Sequence, residues 1–275
     1  GANIDEIKDF HNVILVGVNI KSEFPILSIH LNNAIKHNTK VFSINFDALD
    51  EDFPTYYKKT VNYENMSALL DNSYEEIGVK TNEKNLVIIG PSVSQSPNQS
   101  NLLASINKFS KSINAKTGFL TDFCNNTSAW LLGNVPHRNI CGQKSKLNGK
   151  NAFEMISAQL SAYIFYNLEP EYDFWDSHIV ENALTKSKCN IIFTSYITPM
   201  IEKYADIIIP ISTFAETDGS YINIDGTFQS FSKIVEPKKN ISNGWSFLNK
   251  VLKHNSLGDY DINSLRSEIK DFNEE

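Results

Sequence analysis

HNVILVGV, residues 11–18, holds a short apolar run, unbroken from Val13 to Val18. A strand with one wet face alternates apolar and polar residues, so a run apolar throughout reads as a strand covered on both faces, as in a parallel sheet. Outward from it, NIKSEFP (19–25) reads as a loop, and Ile26, Leu27, Ile29, His30 and Ala34 fall at helical spacing over about three turns. KVFSIN (40–45) reads as the next strand, completing a βαβ unit whose crossover is expected to be right-handed. Residues 47–60, acidic and aromatic, read as irregular, and a helix is expected within 65–79. NLVII (85–89) is a third strand, ended by Gly90-Pro91 and followed by the polar loop SVSQSPNQS. A helix over 101–113 and a short strand over 116–120 complete the set.

From 121 to 150 the pattern dissolves into Asn, Gly, Pro and Lys around the aromatic Trp130, which places a domain junction there. A second α/β set follows: strands over 162–167, 190–194 and 206–211, with helices within 174–187 and over 200–204. SYINI (220–224) and TFQSF (227–231) alternate and flank Asp225-Gly226, a two-residue hairpin signal of type I′. The expected fold is α/β: two Rossmann-like three-layer α/β/α units with mostly parallel sheets, plus a β-hairpin near residues 220–231. The expected domains are 1–135 and 136–275, the second holding the hairpin and the C-terminal helices.

The chain of 275 residues is 41% hydrophobic and 21% charged, with a net charge of -7. That balance is ordinary for a globular protein, and the absence of a basic cluster argues against a nucleic-acid partner. No apolar run approaches the roughly 20 residues of a membrane-spanning helix, so no direct membrane insertion is expected. Gly1 rather than Met opens the chain, and Gly1-Ala2 reads as a cloning remnant on a piece of a longer protein. Cys124, Cys141 and Cys189 are odd in number and widely spaced, which reads as reduced thiols in a cytosolic or matrix-like compartment.

Several patterns invite chemical readings. Glu216, Asp218 and Asp225 stand among Gly219 and Gly226, but they lack the alternating ladder and terminal Glu of a calcium loop. As paired acid–base carboxylates, Glu216 and Asp218 compete with the commoner role of solvated loop acids. His137 and Cys141 are four residues apart with no second ligand pair nearby, so a packed or solvated role is expected over zinc. Three scattered cysteines cannot hold an iron–sulfur cluster within this chain. Gly17-Val18-Asn19 and Gly90-Pro91-Ser92 follow the carboxyl ends of strands, where open α/β sheets take ligands. Neither is a GxGxxG or Walker loop, and Ser92, Ser94 and Ser96 either meet a phosphate or cap the following helix.

Taken in order, these pieces resemble the molybdopterin oxidoreductases. VILVGVNIKSEFPIL carries Gly17, Asn19, Glu23 and Pro25 in the frame Gly-x-Asn-Pro-Arg-x-Glu-x-Pro. LVIIGPSVSQSPNQSNLLASI looks like the family's second Gly-containing loop, and TDFCNNTSAWLLGNVP like its Asn-rich bridge. YADIIIPISTFAETDGSYINIDGTFQ keeps Glu216, Gly219, Asn223, Gly226 and Gln229 in the frame Glu-x-x-Gly-Thr-x-x-Asn-x-Glu-Gly-Arg-x-Gln. The likeness runs from about residue 5 to 255. It is strongest to the C-terminal region of the large peripheral-arm subunit of NADH-quinone oxidoreductase, respiratory complex I. Departures are Ile20 and Lys21 for the family's Pro-Arg, and Asp225-Gly226-Thr227 for Glu-Gly-Arg. Arg is the better bidentate phosphate partner, so these losses speak against a bound pterin dinucleotide. No residue matches the family's molybdenum ligand.

The resemblance implies a scaffold without cofactor or catalytic residue in this chain. Gly17, Asn19, Gly90, Ser92, Glu216, Gly219 and Asn223 are then the candidates for a vestigial site. It implies a parent subunit with iron–sulfur clusters in an N-terminal region absent from this chain. The expected partners are that region and the other peripheral-arm subunits. The expected location is the cytoplasmic face of a bacterial inner membrane, or the matrix face in mitochondria, peripheral through the complex. Two alternatives stand beside it: a fragment of an active, formate-dehydrogenase-like molybdopterin oxidoreductase, and a free-standing nucleotide-binding module using Ser92–Ser96.

Overall fold

A computed structural model describes residues 2–72 and 77–274. The chain forms two compact units, one of residues 1–127 with 222–227, the other of 128–221 with 228–275.

The first unit is built on a five-stranded parallel sheet: β1 (Asn12–Val16), β2 (Lys40–Asn45), β3 (Tyr57–Thr60), β4 (Asn85–Ile89) and β5 (Ala115–Phe119). Their order is β3-β2-β1-β4-β5, the doubly wound arrangement. Because side chains alternate along a strand, the aligned register sorts the apolar runs into two cores. Val13, Val41 and Leu86 lie in one row, and Ile14, Phe42 and Val87 in the next. The first row faces Leu27, Leu31 and Ala34 of α1 (Pro25–Lys36) together with Ile7 and Phe10. The second faces Met66 and Leu70 of α2 (Tyr63–Asn72) and Leu102, Ile106 and Phe109 of α3 (Gln99–Ser112). Each buried large side chain contributes roughly 1.5–3 kcal/mol, which explains why HNVILVGV is apolar on both faces.

One expectation needs correction in this unit. Residues 57–60 are a strand, not irregular. YKKT carries two lysines and is mostly exposed because it is the edge of the sheet, where charge protects against further pairing. The helix expected within 65–79 is present and starts two residues earlier, spanning Tyr63–Asn72; residues 73–76 of that stretch lie outside the described residues.

The second unit holds a parallel sheet of β6 (Ala162–Tyr166), β7 (Cys189–Thr194) and β8 (Ile207–Pro210). Tyr163, Phe165 and Ile192 pack on Val180, Ala183 and Leu184 of α4 (Ser177–Lys186) and on Ile201 of α5 (Pro199–Tyr204). The opposite face is less covered. Phe247 of α6 (Gly244–His254) meets Phe193 with ring centroids 5.4 Å apart, while Ile164 and Ile207 on the same face remain 68% and 49% exposed.

β9 (Gly219–Ile222) and β10 (Phe228–Phe231) form the hairpin. Its turn is not the expected two-residue type I′. The Gly226 amide donates to the Asn223 carbonyl and the Asn223 amide to the Thr227 carbonyl, each at 3.1 Å. Gly226 takes φ +89° while Asp225 is absent from the positive-φ residues. That is a three-residue loop closed by a left-handed glycine. The Asn223 side chain selects it by accepting from the Asp225 and Thr227 amides at 3.2 and 2.8 Å, an Asx-type bond that a two-residue loop would not offer.

Candidate functional site

In the first sheet the strand order reverses between β1 and β4, the point at which open α/β sheets take ligands. Gly17 and Gly90 meet there. The Gly90 amide donates to the Val16 carbonyl at 2.8 Å and the Ser92 amide to the Gly17 carbonyl at 3.2 Å. A Cβ on Gly90 would fall 2.2 Å from the Gly17 oxygen, so glycine is required for the approach itself. Gly17 also needs φ +64°, a conformation glycine adopts at no steric cost. Buried Asn45 holds the next residue, its Oδ1 accepting from the Val18 amide at 2.7 Å.

Asn19 turns the chain into the short helix Ile20–Glu23. Its Oδ1 accepts from the Ser22 amide at 3.3 Å, and Glu23 Oε2 accepts from the Asn19 amide at 2.9 Å. Those bonds satisfy backbone donors that a helix start otherwise leaves open. Ile20 is fully buried. Lys21 reaches Asp52 at 2.9 Å and Asp50 at 3.6 Å. The Asp52 hydrogen bond, then the charges of Asp52 and Asp50, raise the lysine pKa above its ordinary value. The cation standing where the resembling motif has Arg is therefore already met by two carboxylates.

Ser92 spends its amide on Gly17. Ser96 is buried, and its Oγ accepts from the Asn98 amide at 3.4 Å. Asn98, the residue that precedes α3, makes no side-chain capping bond. The serine run thus stitches the loop and does not cap α3.

The hairpin residues are equally engaged. Glu216 closes a capping box, its Oε2 accepting from the Thr213 amide at 3.0 Å and Thr213 Oγ1 at 3.1 Å. Asp218 accepts from the Lys233 amide at 3.2 Å. Gly219 lies under the Phe231 ring, where a Cβ would come within 2.3 Å of Cζ. Arg266, on α7 (Ile262–Glu274), donates to the Gly219 and Phe231 carbonyls at 3.1 and 2.9 Å and to Ser220 Oγ at 3.3 Å. Thr227, in the position of the motif's Arg, donates through Oγ1 to Asp225 at 2.7 Å. Burial would raise the Asp225 carboxyl, but bonds from Thr227, the Ile4 amide and Asn223 outweigh it and hold its pKa below the ordinary value.

The structure thus brings Gly17, Asn19, Gly90 and Ser92 together in the first unit, where Asn223 also belongs. Glu216 and Gly219 lie in the second unit. Among the described residues no group of three or more His, Cys, Asp or Glu is placed to hold a metal ion. His137 packs edge-on against Trp130 at 5.5 Å. Cys124 is an exposed thiol and Cys189 a half-buried one. The Lys21–Asp52 pair and the Arg266 clamp escape a reading of the sequence, since their partners are distant or on separate elements. Among the described residues no helix is long and apolar enough to cross a membrane.

A mitochondrial NADH-ubiquinone oxidoreductase 78 kDa subunit from Candida albicans is 22% identical over 257 residues, covering 92% of this chain and 32% of that protein. Acetylene hydratase from Pelobacter acetylenicus superposes with a TM-score of 0.66 at 10% identity, covering 92% of this chain and 50% of that one. The chain therefore spans about a third of the curated relative and half of the solved structure, and the latter likeness is one of fold. The family model described as molybdopterin oxidoreductase matches residues 1–254, and the chain belongs to the molybdopterin oxidoreductase family.

Proposed function

We propose that the chain is a structural, cofactor-free segment of the large peripheral-arm subunit of complex I. In this reading it carries no chemistry of its own and supports NADH-to-quinone electron transfer by the assembled complex. One observation carries the reading: the motif residues are spent on the protein's own backbone. Gly17 and Gly90 close on each other, and Asn19, Glu216 and Asn223 each bond neighbouring amides. Lys21 and Thr227 are tied to aspartates. A pterin dinucleotide needs cationic donors at its phosphates; of the two positions where the motif has Arg, one is Lys21, already paired with Asp52, and the other is the uncharged Thr227, bound to Asp225, so this donor set does not fit that group.

Two further observations support the reading. The 78 kDa subunit relative is by its name part of an NADH-ubiquinone oxidoreductase. The second unit exposes Ile164 and Ile207 on one sheet face, apolar surface of the kind that marks an interface. The partners proposed are neighbouring peripheral-arm subunits and the cluster-bearing region of the parent subunit. The location proposed is peripheral to the bacterial inner or inner mitochondrial membrane, on its cytoplasmic or matrix side. Native gel electrophoresis of detergent-solubilised membranes, probed with an antibody to this chain, tests it. The antibody should mark the band with NADH dehydrogenase activity; a signal confined to a separate, smaller species would overturn the proposal.

A further inference from the structure

The first unit contains an apolar cavity of about 300 Å³ that neither Gly17 nor Gly90 lines. Its floor is Leu86 and Ile88 of β4 with Gly118 of β5. A Cβ on Gly118 would meet nothing within 4 Å, so the space exists because the strand omits a side chain at that position. Ile7, Phe24 and Leu27 form the walls, and Ile26, Phe119 and Ile224 stand at the mouth, all three partly exposed. The only charged groups among the described lining residues are the carboxylates of Glu23 and Asp225, and none of those residues is Lys, Arg or His.

We propose that this cavity binds a small amphipathic molecule with an apolar body and a protonated amine head, the body resting on Leu86, Ile88 and Gly118 and the head facing Glu23 and Asp225. The volume lies at the small end of the ligand-pocket range, roughly 300–1,000 Å³. Apolar walls with a few placed polar groups are the usual makeup of such pockets. The sign of the head group follows from the two carboxylates and the lack of a Lys, Arg or His among the described lining residues. An anionic ligand would meet like charge at the mouth. Asp225 is prepared for the task, since Thr227 and the Ile4 amide hold it in its charged form. The site is separate from the Gly17–Gly90 contact, so the proposal does not depend on the function assigned above.

Isothermal titration calorimetry on the full chain with 2-phenylethylamine tests it, with 2-phenylethanol and 3-phenylpropionate as neutral and anionic controls. The amine is expected to bind about tenfold tighter than the anion, the equivalent of about 1.4 kcal/mol. Gly118→Leu should abolish amine binding by filling the floor. Glu23→Gln with Asp225→Asn keeps acceptor oxygens for the Asn19 and Thr227 amides, and should erase the preference for the amine while leaving the neutral compound's affinity unchanged. Absence of binding by the amine, equal binding of amine and anion to the native chain, or undiminished binding by a folded Gly118→Leu protein would each overturn the proposal. If Gly118→Leu does not fold, the carboxylate variants decide alone.

Discussion

At the scale of single residues, two glycines, one just after β4 and one within β5, have opposite reasons to be there. Gly90 admits a backbone, with the Gly17 oxygen 2.2 Å from where its Cβ would sit, whereas Gly118 faces open space. Gly90→Ala is therefore expected to cost about 1–3 kcal/mol, the range for overpacking a site whose neighbours cannot yield. Gly118→Ala should change stability by no more than about 0.5 kcal/mol. Urea denaturation of the two variants measures both. Gly90 is legible as the end of an apolar run, but that it admits a neighbour depends on pairing between stretches far apart in the chain. The polar motif residues were legible by type: Asn19 and Asn223 are the residues that local turns favour. That Lys21 would be neutralised by Asp50 and Asp52 was hidden, because residues 47–60 carried no recognisable element to place those acids.

At the scale of elements, continuous apolar runs located the parallel strands because burial on both faces leaves no other composition. The edge strand β3 escaped because its side chains YKKT are mostly solvated. The hairpin was found and its turn misread, since Asp-Gly signals a tight turn and the side chain three residues before Gly226 decided otherwise. The hairpin stem is held by the Arg266 guanidinium, with three bonds to Gly219, Ser220 and Phe231. Arg266→Ala should cost about 1.5–3 kcal/mol, the range for hydrogen bonds to a charged group. Arg266→Lys should recover only part of it, because a lone ammonium lacks the planar guanidinium whose Nε reaches Ser220 while Nη2 meets the two carbonyls. Thermal denaturation followed by circular dichroism reads both. At the tip, the folded Asp225 pKa is depressed, so its stabilisation is present above the unfolded value near 3.9. That contribution is lost as pH falls below this value and through the folded one. In Asp225→Asn, the protection factor of the Thr227 amide, its exchange rate relative to the unstructured amide at the same pH, should no longer fall below about pH 4; an unchanged pH profile of that factor would show that another group controls the turn.

For the whole molecule, the α/β class and the two mostly parallel sheets followed from the order of apolar runs and helical spacings. The thin covering of the second sheet did not, because Ile164 and Ile207 have the composition of core residues and only packing reveals them as exposed. If that face meets a partner in the assembled complex, Ile164→Lys should leave the isolated chain's stability within about 0.5 kcal/mol of the native value. The same change should lower the fraction of the protein that co-sediments with the complex. A loss of stability of the isolated chain would instead mark Ile164 as part of its own core. The family model matches residues 1–254, while Asn19, Glu216 and Asn223 bond amides of their own loops. Elemental analysis of the natively purified, full-length parent protein tests the cofactor-free reading most directly. The account predicts no stoichiometric molybdenum or tungsten and no extractable pterin, and one equivalent of either metal with a pterin would contradict it.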